Sequence, residues 1–383
     1  MTRSLPIATT FATKTRRFLR SPELLSELQA FGVRWVDPNG PGLSRSGGAG
    51  PSDHKAITLE HQTVMVPILN HASALSPYSA HVRSGGGAAT LFRAGEPIAD
   101  ITFPPQPRFY GLSTADGVPY WKIATLHAAD VLATTVLQTC MRYGNRETAC
   151  QFCAIGQSLA ARSTIPEKSP EQLAEVASAA ARLDGVKHVV LTTGTPRTPD
   201  RGAQVLAECA RAIKAATDLP VQPQCEPPAD FGWFERLRDA GVDSLGLHLE
   251  AVTERVRRRI MPGKAEVSVG VYLEAFASAV RVFGRGQVST YILAGLGDSR
   301  EEILDMCERL VGLGVYPFVV PFVPIAGTAL EDEPPPEPYF LRDTLDGVAA
   351  LLARHQLYSS DIKAGCGRCG ACSTLKAREV ARA

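Results

Sequence analysis

Nowhere does this chain approach the roughly 20 consecutive apolar residues that a membrane-spanning helix needs, so no membrane partner is expected. Net charge is almost absent as well. Forty Lys and Arg against 39 Asp and Glu leave +1, which offers no bulk attraction to nucleic acid or to an anionic surface. The first twenty residues are basic (Arg3, Lys14, Arg16, Arg17, Arg20) but lack the apolar core of a signal peptide, so a cytoplasmic protein is expected. No Gly-x-Gly-x-x-Gly follows any predicted strand, which weighs against a Rossmann-type sheet. What remains is the composition of a globular protein, 45% hydrophobic and 21% charged. Its 383 residues suffice for one large α/β domain with smaller additions.

Cysteine is present and unevenly placed. Six of the nine fall into two triplets, Cys140/Cys150/Cys153 and Cys366/Cys369/Cys372, while Cys209, Cys225 and Cys307 are isolated. An odd count in a long chain favours metal binding or catalysis over a disulfide scaffold. In the first triplet, three thiols lie within fourteen residues and end in Cys150-Gln151-Phe152-Cys153. Three thiolates on a [4Fe–4S] cluster leave one iron open to a ligand. A zinc knuckle, or three unrelated buried thiols, would show the same spacing.

Along the chain, Ser21-Pro22-Glu23 reads as an N-cap with Pro at the first helical position, opening a short helix that ends near Gly32. Asn39 to Ser52, rich in Gly, Pro and Ser, reads as a linker. Strand patterns follow at Ala56–Leu69, Ala89–Arg93, Ile98–Phe103 and Val118–Leu126. From Val131 onward, short apolar strands alternate with helices of ten to seventeen residues up to Val323. This rhythm implies parallel strands with right-handed crossovers, about six units in all. The expected organisation is an N-terminal helix and linker over residues 1–53, then a β-rich subdomain over 54–129. A partial (βα)6 barrel over 130–333 and a closing helix with a Cys-rich tail over 334–383 complete it.

Chemistry in a parallel barrel gathers at the C-terminal ends of its strands. Read in order, those ends carry the Cys140 triplet, Thr192-Thr193-Gly194, Cys225-Glu226-Pro227-Pro228, His248-Leu249-Glu250, Ala294-Gly295-Leu296-Gly297-Asp298-Ser299 and Ala326-Gly327-Thr328. This series resembles the radical S-adenosylmethionine (SAM) superfamily, and within it the cores of biotin synthase and lipoyl synthase. The resemblance implies a [4Fe–4S] cluster on Cys140, Cys150 and Cys153 that binds SAM. It also implies a SAM pocket formed by Phe152, Thr192, Thr193, Gly194, His248, Glu250, Gly295 and Gly297, with Glu250 meeting the hydroxyls or ammonium of SAM. Without that role, Glu250 would pair with the arginines at 255 and 257–259, themselves readable as a solvated helix face. Such an enzyme takes electrons from an external donor such as flavodoxin or ferredoxin and acts on a small molecule.

The chain departs from those relatives in three ways. Nine residues, where the family usually has three, separate Cys140 from Cys150; loop lengthening of this kind costs little entropy. The biotin synthase cysteines for a sulfur-donating second cluster are missing, with Ser289 on the fifth strand and only Cys225 near such a position. No cysteine precedes Cys140, where lipoyl synthase has its extra set. Sulfur insertion is therefore the alternative activity, and a non-enzymatic Fe–S or zinc scaffold the alternative class. The terminal Cys366-Gly-Arg-Cys369-Gly-Ala-Cys372 suits an auxiliary [4Fe–4S] cluster, a zinc site completed from elsewhere, or a disordered metal-free tail. As a cluster it is expected to fold back over the mouth of the barrel. The widened motif together with this tail resembles a radical-SAM subfamily encoded beside nitrilase-type hydrolases, which implies a small nitrogenous substrate.

Overall fold

The computed structural model describes residues 22–36 and 54–380. The basic N-terminal segment and the Asn39–Ser52 linker lie outside the described residues.

Two sheets organise the chain. The larger has strands β7 (Thr125–His127), β8 (Val131–Thr135), β9 (His188–Thr192), β10 (Val221–Cys225), β11 (Leu245–Leu247), β12 (Val288–Ala294) and β13 (Val315–Pro321). They lie in sequence order; β8 to β13 are parallel, and β7 pairs antiparallel with β8. Every residue of β8, β10 and β13 is buried, as expected for parallel strands covered on both faces. Helices cross between the strands, among them Pro170–Asp184, Ala203–Ala216, Val269–Phe283 and Arg300–Leu313. This is a partial α/β barrel of six parallel strands.

The helix boundaries follow from capping chemistry. Ser169 and Ser299 each accept from the third helical backbone N–H while Gln172 and Glu302 reach back, forming two capping boxes. Gly185 and Gly314 end those helices in the left-handed conformation that glycine tolerates best.

The smaller sheet combines β1 (Arg34–Val36), β2 (His54–Leu59), β3 (Gln62–Pro67), β4 (Tyr78–Val82), β5 (Ala88–Arg93) and β6 (Glu96–Thr102), in the order β1-β4-β5-β6-β2-β3. Helix Pro22–Phe31 buries Leu24, Leu25 and Leu28 against it. Two details depart from the sequence reading. Ala56–Leu69 is a hairpin rather than one strand, turning at Glu60, whose φ is +55°. Val118–Leu126 contains a helical turn, Tyr120–Ile123, before the short β7; Pro119 sits at that turn's N-cap.

After β13 the chain forms helix Pro338–Arg354, a 3-10 turn Ser359–Asp361, the short turn Cys366–Cys369 and helix Leu375–Val380. Its course corrects an expectation. The tail does not cover the barrel mouth but runs beneath the barrel, past the N-terminal ends of the strands. Lys363 N–H donates to Gln287 just before β12, Ala364 N–H to Ser244 just before β11, and Gly365 N–H to His188 Nδ1 at the start of β9. Tyr316, second in β13, hydrogen-bonds Glu379. A tail fastened by buried polar groups is ordered because each of those groups would be costly to leave unpaired.

Candidate functional site

β8 delivers the chain to Cys140 through Val136–Thr139, and the long Cys140–Cys150 loop is docked rather than free. Arg142, almost fully buried, forms a two-pronged pair with Glu226 at the end of β10, Nε to Oε1 and Nη2 to Oε2 both at 3.1 Å. Its Nη1 reaches Glu266 at 3.1 Å. Thr195 Oγ1 donates to Glu226 at 2.7 Å. Burial disfavours the Glu226 carboxylate, but Lys264, Arg142 and Thr195 together hold its pKa below the ordinary value. Further along, Gln151 N–H donates to Ile260 O at 2.8 Å and Gly263 N–H to Thr148 O at 3.2 Å. Arg142 and Thr148 thus anchor the loop to the segment after β11, while residues 143–147 are exposed.

The thiols of this triplet are free. Burial pushes the Cys153 thiol up to about 11, with the charges of Cys140 and Glu250 adding to it. Burial and Glu250 likewise raise Cys150 well above its ordinary value, with Cys153 contributing. These mutual influences place the three sulfurs near one another and near Glu250. Phe152 and Cys150 pack against Ala251, Val256, Leu296 and Phe322.

Glu250 is the strained residue of the site. Its φ is +67°, a left-handed conformation that costs a non-glycine residue on the order of 1–3 kcal/mol. Backbone bonds enforce it: Glu250 N–H donates to Tyr291 O at 2.8 Å, and Leu293 N–H donates to Glu250 O at 2.7 Å. The side chain turns away from the arginines. It accepts from Lys264 Nζ at 2.8 Å, a residue that the sequence reading missed. Burial opposes the Lys264 charge, yet Glu250, Tyr272, Cys150 and Glu226 raise its pKa above the usual lysine range. Arg257 departs from the solvated-face reading too. It is fully buried, donating to Leu249 O, Lys264 O and Val267 O at 2.5–3.2 Å. It therefore braces the turn that carries Glu250.

His248 Nδ1 accepts from Tyr291 N–H at 3.2 Å, which puts the proton of the neutral ring on Nε2. Burial lowers this histidine to about 3. Thr192 Oγ1 and Thr135 Oγ1 are 2.7 Å apart. The three glycines of the expected pocket act through backbone. A Cβ on Gly194 would stand 2.1 Å from Thr139 O, one on Gly297 2.4 Å from Arg259 Nη2, and one on Gly295 3.1 Å from Pro336. Gly295 and Gly297 also take φ of +112° and +115°. Asp298 accepts from Val252 N–H and Thr253 N–H at 2.7 and 3.2 Å, tying this turn to the segment after Glu250.

One cavity of about 390 Å³ unites these groups. Phe152, Cys153, Thr192, Thr193, His248 and Glu250 line it, and Gly194, Gly295 and Gly297 are not among its described lining. Cys366, Cys369 and Cys372 line the same cavity. Gln224 Nε2, within β10, donates to Cys366 Sγ at 3.2 Å, and Cys372 Sγ lies 3.5 Å from His127 Nε2. The N-terminal helix and β3 seal this side: Gln29 Nε2 and Met65 N–H both donate to Ala371 O, at 3.0 and 2.8 Å, and Ser26 Oγ meets Thr374 Oγ1 at 2.8 Å. Burial raises all three terminal thiols, Cys369 to about 12.

Two sets of three free, soft sulfur donors suit iron–sulfur clusters. Among the described residues, no three Cys, His, Asp or Glu side chains converge on a single metal ion. A zinc ion draws its ligands to about 2.0–2.3 Å from one point, whereas a cluster spreads its thiolates over separate irons. Among the described residues no helix is long and apolar enough to cross a membrane.

Comparison with known proteins agrees with this arrangement. Residues 142–310 match the Radical SAM superfamily. Bacteriochlorophyllide c C-7(1)-hydroxylase of Chlorobaculum limnaeum is 28% identical over 235 residues, 55% of this chain and 57% of that protein. Lipoyl synthase of Geobacillus sp. (strain WCH70) is 32% identical over 179 residues, 45% of this chain and 56% of that protein. The chain thus spans little more than half the length of these relatives. The FeFe-hydrogenase maturase HydG from Carboxydothermus hydrogenoformans superposes with a TM-score of 0.44 at 18% identity, covering 58% of this chain and 50% of that one. For methylornithine synthase (PylB) the TM-score is 0.45 at 18% identity, over 64% and 68%. The similarity to the Radical SAM superfamily thus lies over residues 142–310.

Proposed function

We propose, from this similarity as premise, that this protein reductively cleaves SAM and abstracts a hydrogen atom from a small molecule bound between its two cysteine triplets. The observation that carries this reading is the shared cavity. Cys153, His248 and Glu250 reach it from the C-terminal ends of the strands, and Cys366, Cys369 and Cys372 from the opposite side. When bound, a [4Fe–4S] cluster with one open iron passes an electron into the sulfonium of SAM, and the 5′-deoxyadenosyl radical so released takes hydrogen from substrate.

The chain's own residues bind, orient and keep out water. Cys140, Cys150 and Cys153 supply the thiolates for this cluster, and Cys366, Cys369 and Cys372 those for an auxiliary [4Fe–4S] cluster. Glu250, held by its backbone turn and by Lys264, accepts from the hydroxyls or ammonium of SAM. His248 presents its Nε2 proton, and Thr192 and Thr193 offer hydroxyls beside it. Between the triplets the cavity wall is apolar, built from Val131, Ala133, Val190, Leu293, Phe318 and Val320. Such a wall shelters a radical from water and favours a substrate with an apolar body. The subfamily resemblance adds a nitrogenous group to that substrate. Flavodoxin or ferredoxin would supply the electron.

The test is anaerobic reconstitution with iron and sulfide, then dithionite and SAM. 5′-Deoxyadenosine should form, and deuterium from the true substrate should appear in it. No 5′-deoxyadenosine from the wild type, or as much from Cys150→Ala, would overturn the reading.

A further inference from the structure

Three cysteines leave one iron of the auxiliary cluster without a protein ligand, and the groups around the terminal triplet differ sharply in their fitness to complete it. We propose that His127, through Nε2, is the fourth protein ligand of that cluster. This rests on the reading that Cys366, Cys369 and Cys372 hold a cluster at all.

His127 ends β7, in register with Val131 at the start of β8, and its ring lines the same cavity as the three thiols. Its Nε2 lies 3.5 Å from Cys372 Sγ, at hydrogen-bond distance from one of the three thiols. The other nearby groups are worse donors. Gln224 is engaged as a donor to Gln222 Oε1 at 3.0 Å and to Cys366 Sγ at 3.2 Å. Tyr291 is engaged by hydrogen bonds with both Cys366 and Cys372. His54 also lines the cavity with an unpartnered buried Nδ1. It sits near enough to His127 for the two to influence each other, as a group behind a ligand would.

Just beyond β7, Ala128 packs with Ala371 of the terminal segment and with Met65. A nitrogen on the fourth iron also leaves no open iron for substrate, so this cluster would exchange electrons without binding the reactant. A histidine ligand in place of cysteine raises the potential of an iron–sulfur centre.

The experiment uses the full chain with Cys140→Ala, Cys150→Ala and Cys153→Ala, so that only the auxiliary site can hold iron. It is labelled with 15N-histidine, reconstituted anaerobically and reduced with dithionite. About four irons per chain should remain, and pulsed electron paramagnetic resonance should show a 15N coupling of iron-bound strength. That coupling should persist in His54→Ala and vanish in His127→Cys, which should keep its iron and shift to a lower midpoint potential. Iron retained without the coupling, or a coupling lost in His54→Ala and kept in His127→Cys, overturns the assignment of His127. No iron retained, or iron unchanged when Cys366, Cys369 and Cys372 are also replaced by Ala, overturns the auxiliary cluster itself.

Discussion

Cys153 of the first triplet and all three cysteines of the second reach one cavity by opposite routes. The first stands where a parallel barrel gathers its chemistry, on a loop leaving β8, among Glu226 from the end of β10, His248 and Glu250 from that of β11, and Lys264 from the segment beyond. The second arrives from beneath, on a tail that meets the starts of the strands at His188, Ser244 and Gln287. The first is held by the buried ion pairs around Glu226, the second by amide hydrogen bonds to His188, Ser244 and Gln287, by the buried Glu379 and Arg378, and by the N-terminal helix. The difference teaches that the barrel builds one site intrinsically and borrows the other from both ends of the chain.

Breaking the triplets separately should give the largest contrast. Cys150→Ala should reduce SAM cleavage to background, because the proposed cluster then has only two of its three thiolate ligands. Replacing Cys366, Cys369 and Cys372 with Ala should remove about half of the iron while slow SAM cleavage continues. The check is iron analysis beside 5′-deoxyadenosine quantification. Equal loss of cleavage in both variants would mean that the two sites are not separable as drawn.

The charged support of the first site offers the next test. Arg142→Met leaves Glu226 buried without its two-pronged partner, and breaking one side of a buried pair costs about 3–5 kcal/mol. The midpoint of denaturant unfolding of the iron-free chain should fall accordingly. Arg142→Met with Glu226→Gln should recover much of the loss, since the uncompensated charge is then gone. No recovery in the double variant would show that packing of the Arg142 side chain, not charge, holds the loop.

Smaller, and confined to ligand binding, is the effect of Lys264→Met. Glu250 then keeps its strained backbone but loses the ammonium at 2.8 Å. A hydrogen bond to a charged group is worth about 1.5–3 kcal/mol, so SAM affinity should weaken about 10- to 100-fold. Isothermal titration of SAM into the reconstituted protein reads this directly, and unchanged affinity would detach Glu250 from the SAM pocket.

Much of this was legible in sequence wherever short-range chemistry decides the outcome. The bounds of β9 and of helix Arg300–Leu313 follow from a short apolar run and a Ser-x-x-Glu cap. Glu250 and His248 were visible as the end of a strand. Lys264 was not, because the contact that matters spans fourteen residues and no local pattern marks it. Arg142 was hidden inside a loop that reads as a mere insertion. The turn at Glu60 carries none of the Gly, Asn or Pro that usually announce one, and so the hairpin read as a single strand. The course of the tail was misread for a related reason. Flexibility and reach set only how far a segment can go, whereas its docking is chosen by side chains such as His188 and Gln287, which lie more than 70 residues away in sequence.

Acid should loosen the second site before the first. His188 Nδ1 accepts the Gly365 amide at 3.1 Å, and only an unprotonated nitrogen can accept. Burial, with the nearby charges of Arg368, His127 and Lys376, lowers this histidine from 6.5 to about 3. The unfolded or undocked chain therefore binds a proton that the docked form refuses, so stability is lost as pH falls from about 6.5 toward 3. At pH 5 the penalty is about 2 kcal/mol, enough to multiply the undocked population roughly thirtyfold. Hydrogen exchange over residues 359–380 of the iron-free protein should quicken between pH 7 and pH 5 after correction for the intrinsic rate. In His188→Asn, a side-chain oxygen can still accept the Gly365 amide but does not titrate in this range, so that acceleration should disappear. Equal acceleration in both proteins would place the acid sensitivity elsewhere, and the tail's hold on the barrel floor would not depend on this one nitrogen.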